Sequence, residues 1–209
     1  MGFQAMMQLP RLYAILDAES CAKRGLSLLE TAKAWRDAGM TLLQYRDKVA
    51  SDSSLLENAI SLRRVFEDVD ATLILNDRVH LFADSGFDGV HVGQGDTAVA
   101  AVRAVIGPDA VLGVSTHNPA QVSAADLLPV SYVAVGPVFA TSTKLDAEPV
   151  VGLNGVALAR SLTRKPLVAI GGITQANAAS VIEAGAGSVA LISALLDGDV
   201  RSLMWLLNR

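Results

Sequence analysis

A single (β/α)8 TIM barrel, of the α/β class, is the fold that three features of this sequence predict. Eight short runs rich in β-branched residues alternate with segments whose apolar residues fall three and four apart. Between positions 12 and 188 the runs begin about every 25 residues, the size of a βαβ unit. Strands that alternate with helices imply parallel pairing, and eight such units in 209 residues close a barrel near the lower end of its size range. A doubly wound open sheet is the rival, and it usually uses fewer strands in this length.

The strands are expected at Leu12–Asp17, Thr41–Arg46, Thr72–Asn76, Gly89–Gly93, Val111–Ser115, Tyr132–Pro137, Leu167–Gly171 and Ser188–Ser193. The clearest helical patterns between them are Leu26–Asp37 and Ser53–Glu67, with shorter ones at Gln175–Ala184 and Arg201–Leu207. Gly-rich pieces sit at strand ends, where tight βα turns need them. No Pro/Ser linker or charge block divides the chain, so residues 1–209 read as one domain, with 1–10 a leader or a cover over the barrel bottom.

Composition narrows the function classes. Apolar residues make up 51% and charged residues 18%, which excludes a disordered chain and allows a sizeable core. A net charge of −4 provides no basic field for nucleic acid, so an anionic ligand must be held by local geometry. Cys21 is the single cysteine, which rules out an intrachain disulfide and fits a reducing compartment. The opening MGFQAMMQLPRLY has no signal-peptide pattern, position 6 is Met6 where myristoylation wants Ser or Thr, and no stretch resembles a spanning helix. The expectation is a soluble cytoplasmic protein that acts on small molecules, without nucleic-acid or membrane partners.

Barrel enzymes carry their chemistry on the loops after the strands. After the second strand, alternation points Gln44, Arg46 and Lys48 to one side, where two cations and an amide suit an anion with several oxygens. After the third and fourth strands come Asn76-Asp77 and Gly93-Gln94-Gly95-Asp96. Asp77 and Asp96 sit at equivalent points of neighbouring strands, and two carboxylates with ligand phosphates and waters are a usual way to hold Mg2+. Each could equally be a helix N-cap. His117, after the fifth strand, is either an acid/base or a hydrogen-bonded loop residue. His91 reads as a core residue or a support for the site, and His80 as exposed on a helix. The loop Gly136–Lys144 is hydroxyl-rich and cationic, as phosphate sites and lids often are. Gly171-Gly172 after the seventh strand and Ile192-Ser193 after the eighth match the place where barrels bind phosphate on backbone N–H groups. The residues alone imply transfer between two phosphorylated small molecules, with Mg2+.

Six segments in order, LLQYRDK, LILNDRVHLFADSGFDGVHVGQGD, LGVSTHNPAQ, YVAVGPVFATSTK, PLVAIGGIT and SVALISALL, resemble the thiamine phosphate synthase (thiamine-phosphate pyrophosphorylase) family from about Leu12 to Leu195. The resemblance implies a transferase of thiamine biosynthesis. It would join 4-amino-5-hydroxymethyl-2-methylpyrimidine diphosphate to a thiazole phosphate, carboxylated or not, giving thiamine phosphate and pyrophosphate. By the same resemblance Gln44, Arg46, Lys48 and Asn76 hold the pyrimidine diphosphate, and Asp77 and Asp96 hold its Mg2+. Ser115 and Lys144, with Arg46, stabilise the departing pyrophosphate. Thr141 and Thr143 contact the thiazole, and Gly172, Ile192 and Ser193 bind its phosphate. The family mechanism is dissociative: pyrophosphate leaves first and the thiazole nitrogen traps the cation.

Two stretches depart from the family pattern: LYAILD, where a Thr often precedes the Asp, and LDAEPVVGL, with Glu148 and an extra Val before Gly152. The rival within the family is a thiazole tautomerase with His117 as acid/base. Asn76-Asp77, Asp96 and Thr143-Lys144 separate the two, because an isomerase without a diphosphate substrate needs no two-Asp metal site. A precursor-binding protein without turnover is the non-enzymatic reading, and the intact diphosphate and metal residues argue against it.

Overall fold

The computed structural model describes residues 8–141 and 148–207. Eight parallel strands close a barrel in chain order, with the eighth paired back onto the first. They are β1 (Leu12–Asp17), β2 (Leu42–Arg46), β3 (Thr72–Asn76), β4 (Gly89–Val92), β5 (Val111–Thr116), β6 (Tyr132–Val135), β7 (Leu167–Ile170) and β8 (Ser188–Leu191). β1 and β3 have the expected bounds. Several others stop short of the apolar run. The Val138 amide donates to the Ile170 carbonyl beyond the end of β6, and Ser193 already opens a helix rather than closing β8.

The helices are α1 (Ala18–Lys23), α2 (Leu28–Asp37), α3 (Asp52–Val65), α4 (Phe82–Ser85), α5 (Val99–Ile106), α6 (Pro119–Asp126), α7 (Gly152–Leu162), α8 (Ala178–Glu183), α9 (Ser193–Leu196) and α10 (Val200–Leu207). The four segments read from periodicity are α2, α3, α8 and α10. α6 escapes that reading because PAQVSAAD is built largely of small residues, so its buried Val122 and Ala125 make only a faint stripe. α2 shows how local chemistry sets the ends. Ser27 caps it by accepting from the Glu30 amide, and Ser27-x-x-Glu30 is a capping-box pattern. At its other end Gly39 takes φ 95°, so the Gly39 amide reaches the Arg36 carbonyl and the Met40 amide reaches the Trp35 carbonyl.

Alternate residues along the strands face opposite ways, which divides the core in two. Tyr13, Ile15, Leu42, Ile74, Tyr132, Ala134, Val168 and Ala190 fill the barrel interior, and Leu9 packs onto them. The intervening residues, among them Leu43, Leu73 and Leu75, pack outward with Trp35, Leu62 and Val102 of the helical ring. Residues 1–7 of the leader lie outside the described residues.

Gly113 on β5 is the tightest point of the interior. A Cβ there would lie 2.1 Å from Tyr132 Cζ and 2.5 Å from His91 Nδ1. Gly113→Ala should therefore overpack the barrel and destabilise the protein by about 1–3 kcal/mol. Urea unfolding reads this directly, and an unchanged midpoint would show that the interior has room to spare.

Candidate active site

The ends of β1 to β5 build one polar mouth. β1 and β2 pair with Asp17 opposite Arg46. Asp17 is buried at 2% exposure, accepts from the Ser20 amide at 2.8 Å and pairs with the Arg46 guanidinium. Strand register thus places a carboxylate against the arginine that sequence reading assigns to the anion. Asp17 had no role in that reading, although its position at the end of a barrel strand was a usable signal.

One residue on, Asp47 organises the loop after β2. Its Oδ1 accepts from the amides of Val49 at 3.1 Å and Ala50 at 2.9 Å. That pins the backbone on either side of Lys48, whose ammonium pairs with Asp77 Oδ2. Arg78 joins the same region by donating to the Ala50 carbonyl at 3.1 Å and pairing with Asp52. His80 pairs with Asp52 at 2.7 Å on the surface, in a 3-10 turn (Val79–Leu81) rather than an α-helix.

Asp77 takes φ 61°, alone in this region among the described non-glycine residues. Asp tolerates the left-handed region better than most, and such backbone strain clusters at functional sites. The Asp77 amide donates to the His91 carbonyl at 2.9 Å, which holds the twisted turn against β4. Asp96 Oδ2 accepts from the Gly93 amide at 2.7 Å and so folds its own loop back to the same place. The two carboxyl groups interact. Burial pushes Asp77 above the usual carboxylate range, the Lys48 ammonium opposes this, and Asp96 adds to the rise. Two acids brought together against their mutual repulsion are a fitting donor pair for a hard divalent cation. Among the described residues no group of three or more His, Cys, Asp or Glu is placed for a metal, so a cation here would draw further oxygens from ligand or water.

Gln44 and Asn76 are buried at the inner edge of this mouth. Ser115 accepts from or donates to His91 Nε2 at 2.8 Å, and its carbonyl accepts from Gln94 Nε2 at 2.6 Å. His91 is buried, as expected for a residue supporting the site. His117 is fixed at both ends. Its amide donates to Gln121 Oε1 at 2.7 Å, and its Nδ1 donates to the Gly136 carbonyl at 2.6 Å.

The opposite side of the mouth comes from β6 to β8. Gly171 and Gly172 take φ 100° and 64°, and a Cβ on Gly172 would lie 2.5 Å from the Ala140 carbonyl oxygen. The Phe139 amide donates to the Gly171 carbonyl at 2.9 Å. These glycines are therefore required by the packing of the loop after β6 as well as by any phosphate. Ile170 pairs with Ala190, so Gly172 and Ile192 each stand two residues beyond a paired position on neighbouring strands. Ile192 caps α9 and Ser193 opens it. Thr141 is half-buried at the end of the described part of the loop. Thr143 and Lys144 lie outside the described residues.

Known proteins resemble this chain along most of its length. A family description, thiamine monophosphate synthase, matches residues 12–195. The thiamine-phosphate synthase of Koribacter versatilis is 49% identical over 192 residues, covering 91% of this chain and 90% of its own. That of Azorhizobium caulinodans is 43% identical, covering 88% and 86%. The solved structure of the thiamine phosphate pyrophosphorylase from Pyrococcus furiosus superposes with a TM-score of 0.82 at 30% identity, covering 95% of this chain and 93% of the other.

Proposed function

Because the chain belongs to the thiamine monophosphate synthase family, we propose that it is a transferase that makes thiamine phosphate and pyrophosphate from the pyrimidine diphosphate and a thiazole phosphate. The observation that carries the assignment of roles is the meeting of Arg46, Lys48, Asp77 and Asp96 at one barrel mouth, facing the glycine turn and α9 on the other side. The first cluster takes the diphosphate and the second takes the thiazole phosphate.

In this reading the bond between the pyrimidine methylene carbon and the diphosphate oxygen breaks first, and its electron pair leaves with the pyrophosphate. The thiazole nitrogen then gives its lone pair to the methylene carbon, forming the new C–N bond. Arg46, Lys48 and Lys144 hold the charge that grows on the leaving group, and Ser115 adds a hydroxyl donor. These groups serve the transition state more than the ground state, which is the condition for accelerating the step. Asp77 and Asp96 would hold Mg2+, which when bound neutralises diphosphate charge. Thr141 and Thr143 contact the thiazole, and Gly172, Ile192 and Ser193 offer backbone N–H groups to its phosphate.

No proton has to be removed from the thiazole nitrogen, so no base is needed. His117 fits that absence, since its Nδ1 proton is committed to the Gly136 carbonyl. His117→Ala should keep synthase turnover within roughly tenfold of wild type; complete loss would assign His117 a chemical role. A cytoplasmic location belongs to the same proposal and rests on the likeness to biosynthetic synthases. Among the described residues no helix is long and apolar enough to cross a membrane. The assay mixes the protein with both substrates and quantifies thiamine phosphate chromatographically. Product supports the synthase, whereas isomerisation of the carboxylated thiazole phosphate without coupling would favour the tautomerase.

A further inference from the structure

A chain of hydrogen bonds crosses the barrel beneath the mouth. Gln44 Nε2 donates to Tyr13 Oη at 2.8 Å, and Tyr13 Oη lies 2.8 Å from Tyr132 Oη. Tyr132 Oη lies 2.9 Å from His91 Nδ1, and His91 Nε2 lies 2.8 Å from Ser115 Oγ. The chain links β2, β1, β6, β4 and β5, and its two ends are Gln44, which the family resemblance assigns to the pyrimidine diphosphate, and Ser115, which the proposed function assigns to the departing pyrophosphate. Its middle is enclosed: Tyr13, Tyr132 and His91 are 1%, 0% and 8% exposed. The Tyr132 ring meets Tyr13 edge-on at 5.9 Å and stacks on His91 at 5.6 Å, and the missing side chain of Gly113 makes the space for both Tyr132 and His91.

Donor chemistry gives this chain a direction. An amide nitrogen can only donate, so the Tyr13 hydroxyl accepts from Gln44 and, among its described partners, has Tyr132 to receive its own proton. Tyr132 in turn donates to His91 Nδ1. The imidazole then carries its proton on Nε2 and donates it to Ser115 Oγ. Burial pushes both phenols far above their ordinary range, so both remain neutral donors.

We propose, on the basis of the synthase reading, that Tyr13, Tyr132 and His91 are positioning residues that set the polarity of Gln44 and Ser115 toward the pyrimidine diphosphate. With its nitrogen engaged by Tyr13, Gln44 offers the ligand its amide oxygen, an acceptor suited to the amino group on the pyrimidine. With Oγ accepting from His91, Ser115 offers its hydroxyl proton, suited to a diphosphate oxygen. A directed chain also polarises each successive donor, which strengthens the last one. The family relationship supplies the substrate, and the direction of the chain supplies the selectivity for an amino over an oxo group at the ring position that faces Gln44.

The test has three parts, all on the full chain. Tyr132→Phe removes the donor to His91 Nδ1, which lets the imidazole reverse its tautomer and accept from Ser115. The kcat for coupling should fall about tenfold, the value of one hydrogen bond, with little change in KM for the thiazole phosphate. Ser115→Ala added to Tyr132→Phe should then cost almost nothing beyond Ser115→Ala alone, and losses that simply multiply would overturn the proposal. Tyr13→Phe frees the Gln44 amide to turn, so discrimination between the aminopyrimidine diphosphate and its oxo analogue should fall about tenfold; unchanged discrimination counts against the chain. Tyrosine variants that do not fold leave a measurement on the wild type. Nitrogen-15 NMR of the imidazoles should show the Nε2–H tautomer at His91, and an Nδ1–H tautomer there would overturn the assignment. The tautomer does not depend on turnover, so an inactive wild type would sink the synthase reading while the chain is still judged on its own.

Discussion

Asp77→Asn should remove Mg2+-dependent coupling, lowering turnover by roughly 10²-fold or more. Asn is a cleaner replacement than Ala because it also tolerates the left-handed backbone that Asp77 adopts at φ 61°. The change keeps side-chain shape and removes one of two converging negative charges. Burial and Asp96 already disfavour that charge, so the fold should lose little and stability should stay within about 1 kcal/mol. Lys48 loses its carboxylate partner and becomes a free cation at the diphosphate, so substrate binding should survive better than turnover. Steady-state kinetics against Mg2+ concentration separates the two effects. A variant as active and as Mg2+-dependent as wild type would remove Asp77 from the metal site.

Arg46→Ala should act on both activity and stability. As the guanidinium assigned to the departing pyrophosphate, Arg46 should cost roughly 10²-fold or more in single-turnover rate. Its partner Asp17 is 2% exposed and would be left as a buried carboxylate without its counter-charge. Breaking such a pair from one side typically costs about 3–5 kcal/mol. The double variant Asp17→Asn with Arg46→Ala should recover most of that stability, because the uncompensated charge is gone, yet recover none of the rate. Urea unfolding and single-turnover kinetics on the three variants test this. Recovery of rate in the double variant would mean that Arg46 serves the fold rather than the leaving group.

What the sequence discloses depends on how far apart the cooperating residues lie in the chain. The strands are legible because apolar alternation and unit spacing are local, and the mouth is legible because a barrel puts its chemistry at strand ends. Gln44 and Arg46 alternate on β2 for the same local reason, whereas Lys48 lies beyond the end of that strand, in the loop that Asp47 holds. The pairing of Asp17 with Arg46 is set by register between two strands, and no spacing rule within either strand reveals it. The Tyr13–Tyr132 bond joins residues 119 apart and exists only once the barrel has closed. His91 could be placed as a buried support, but its two partners could not. Gly171 and Gly172 were legible as a turn that admits phosphate, whereas the packing of Gly171 against Pro137 and of Gly172 against Phe139 and Ala140 required the loop in three dimensions. Small-residue helices such as α6 were missed because a weak apolar stripe gives a weak period.

A crystal structure of the protein grown with Mg2+ and pyrophosphate tests the central claim most directly. The account expects pyrophosphate oxygens within hydrogen-bonding distance of Arg46, Lys48 and Asn76. It also expects a cation with Asp77 and Asp96 oxygens at about 2.0–2.1 Å, bridging to the same anion. Pyrophosphate bound away from these side chains, or Asp77 and Asp96 without a cation beside bound pyrophosphate, would contradict it.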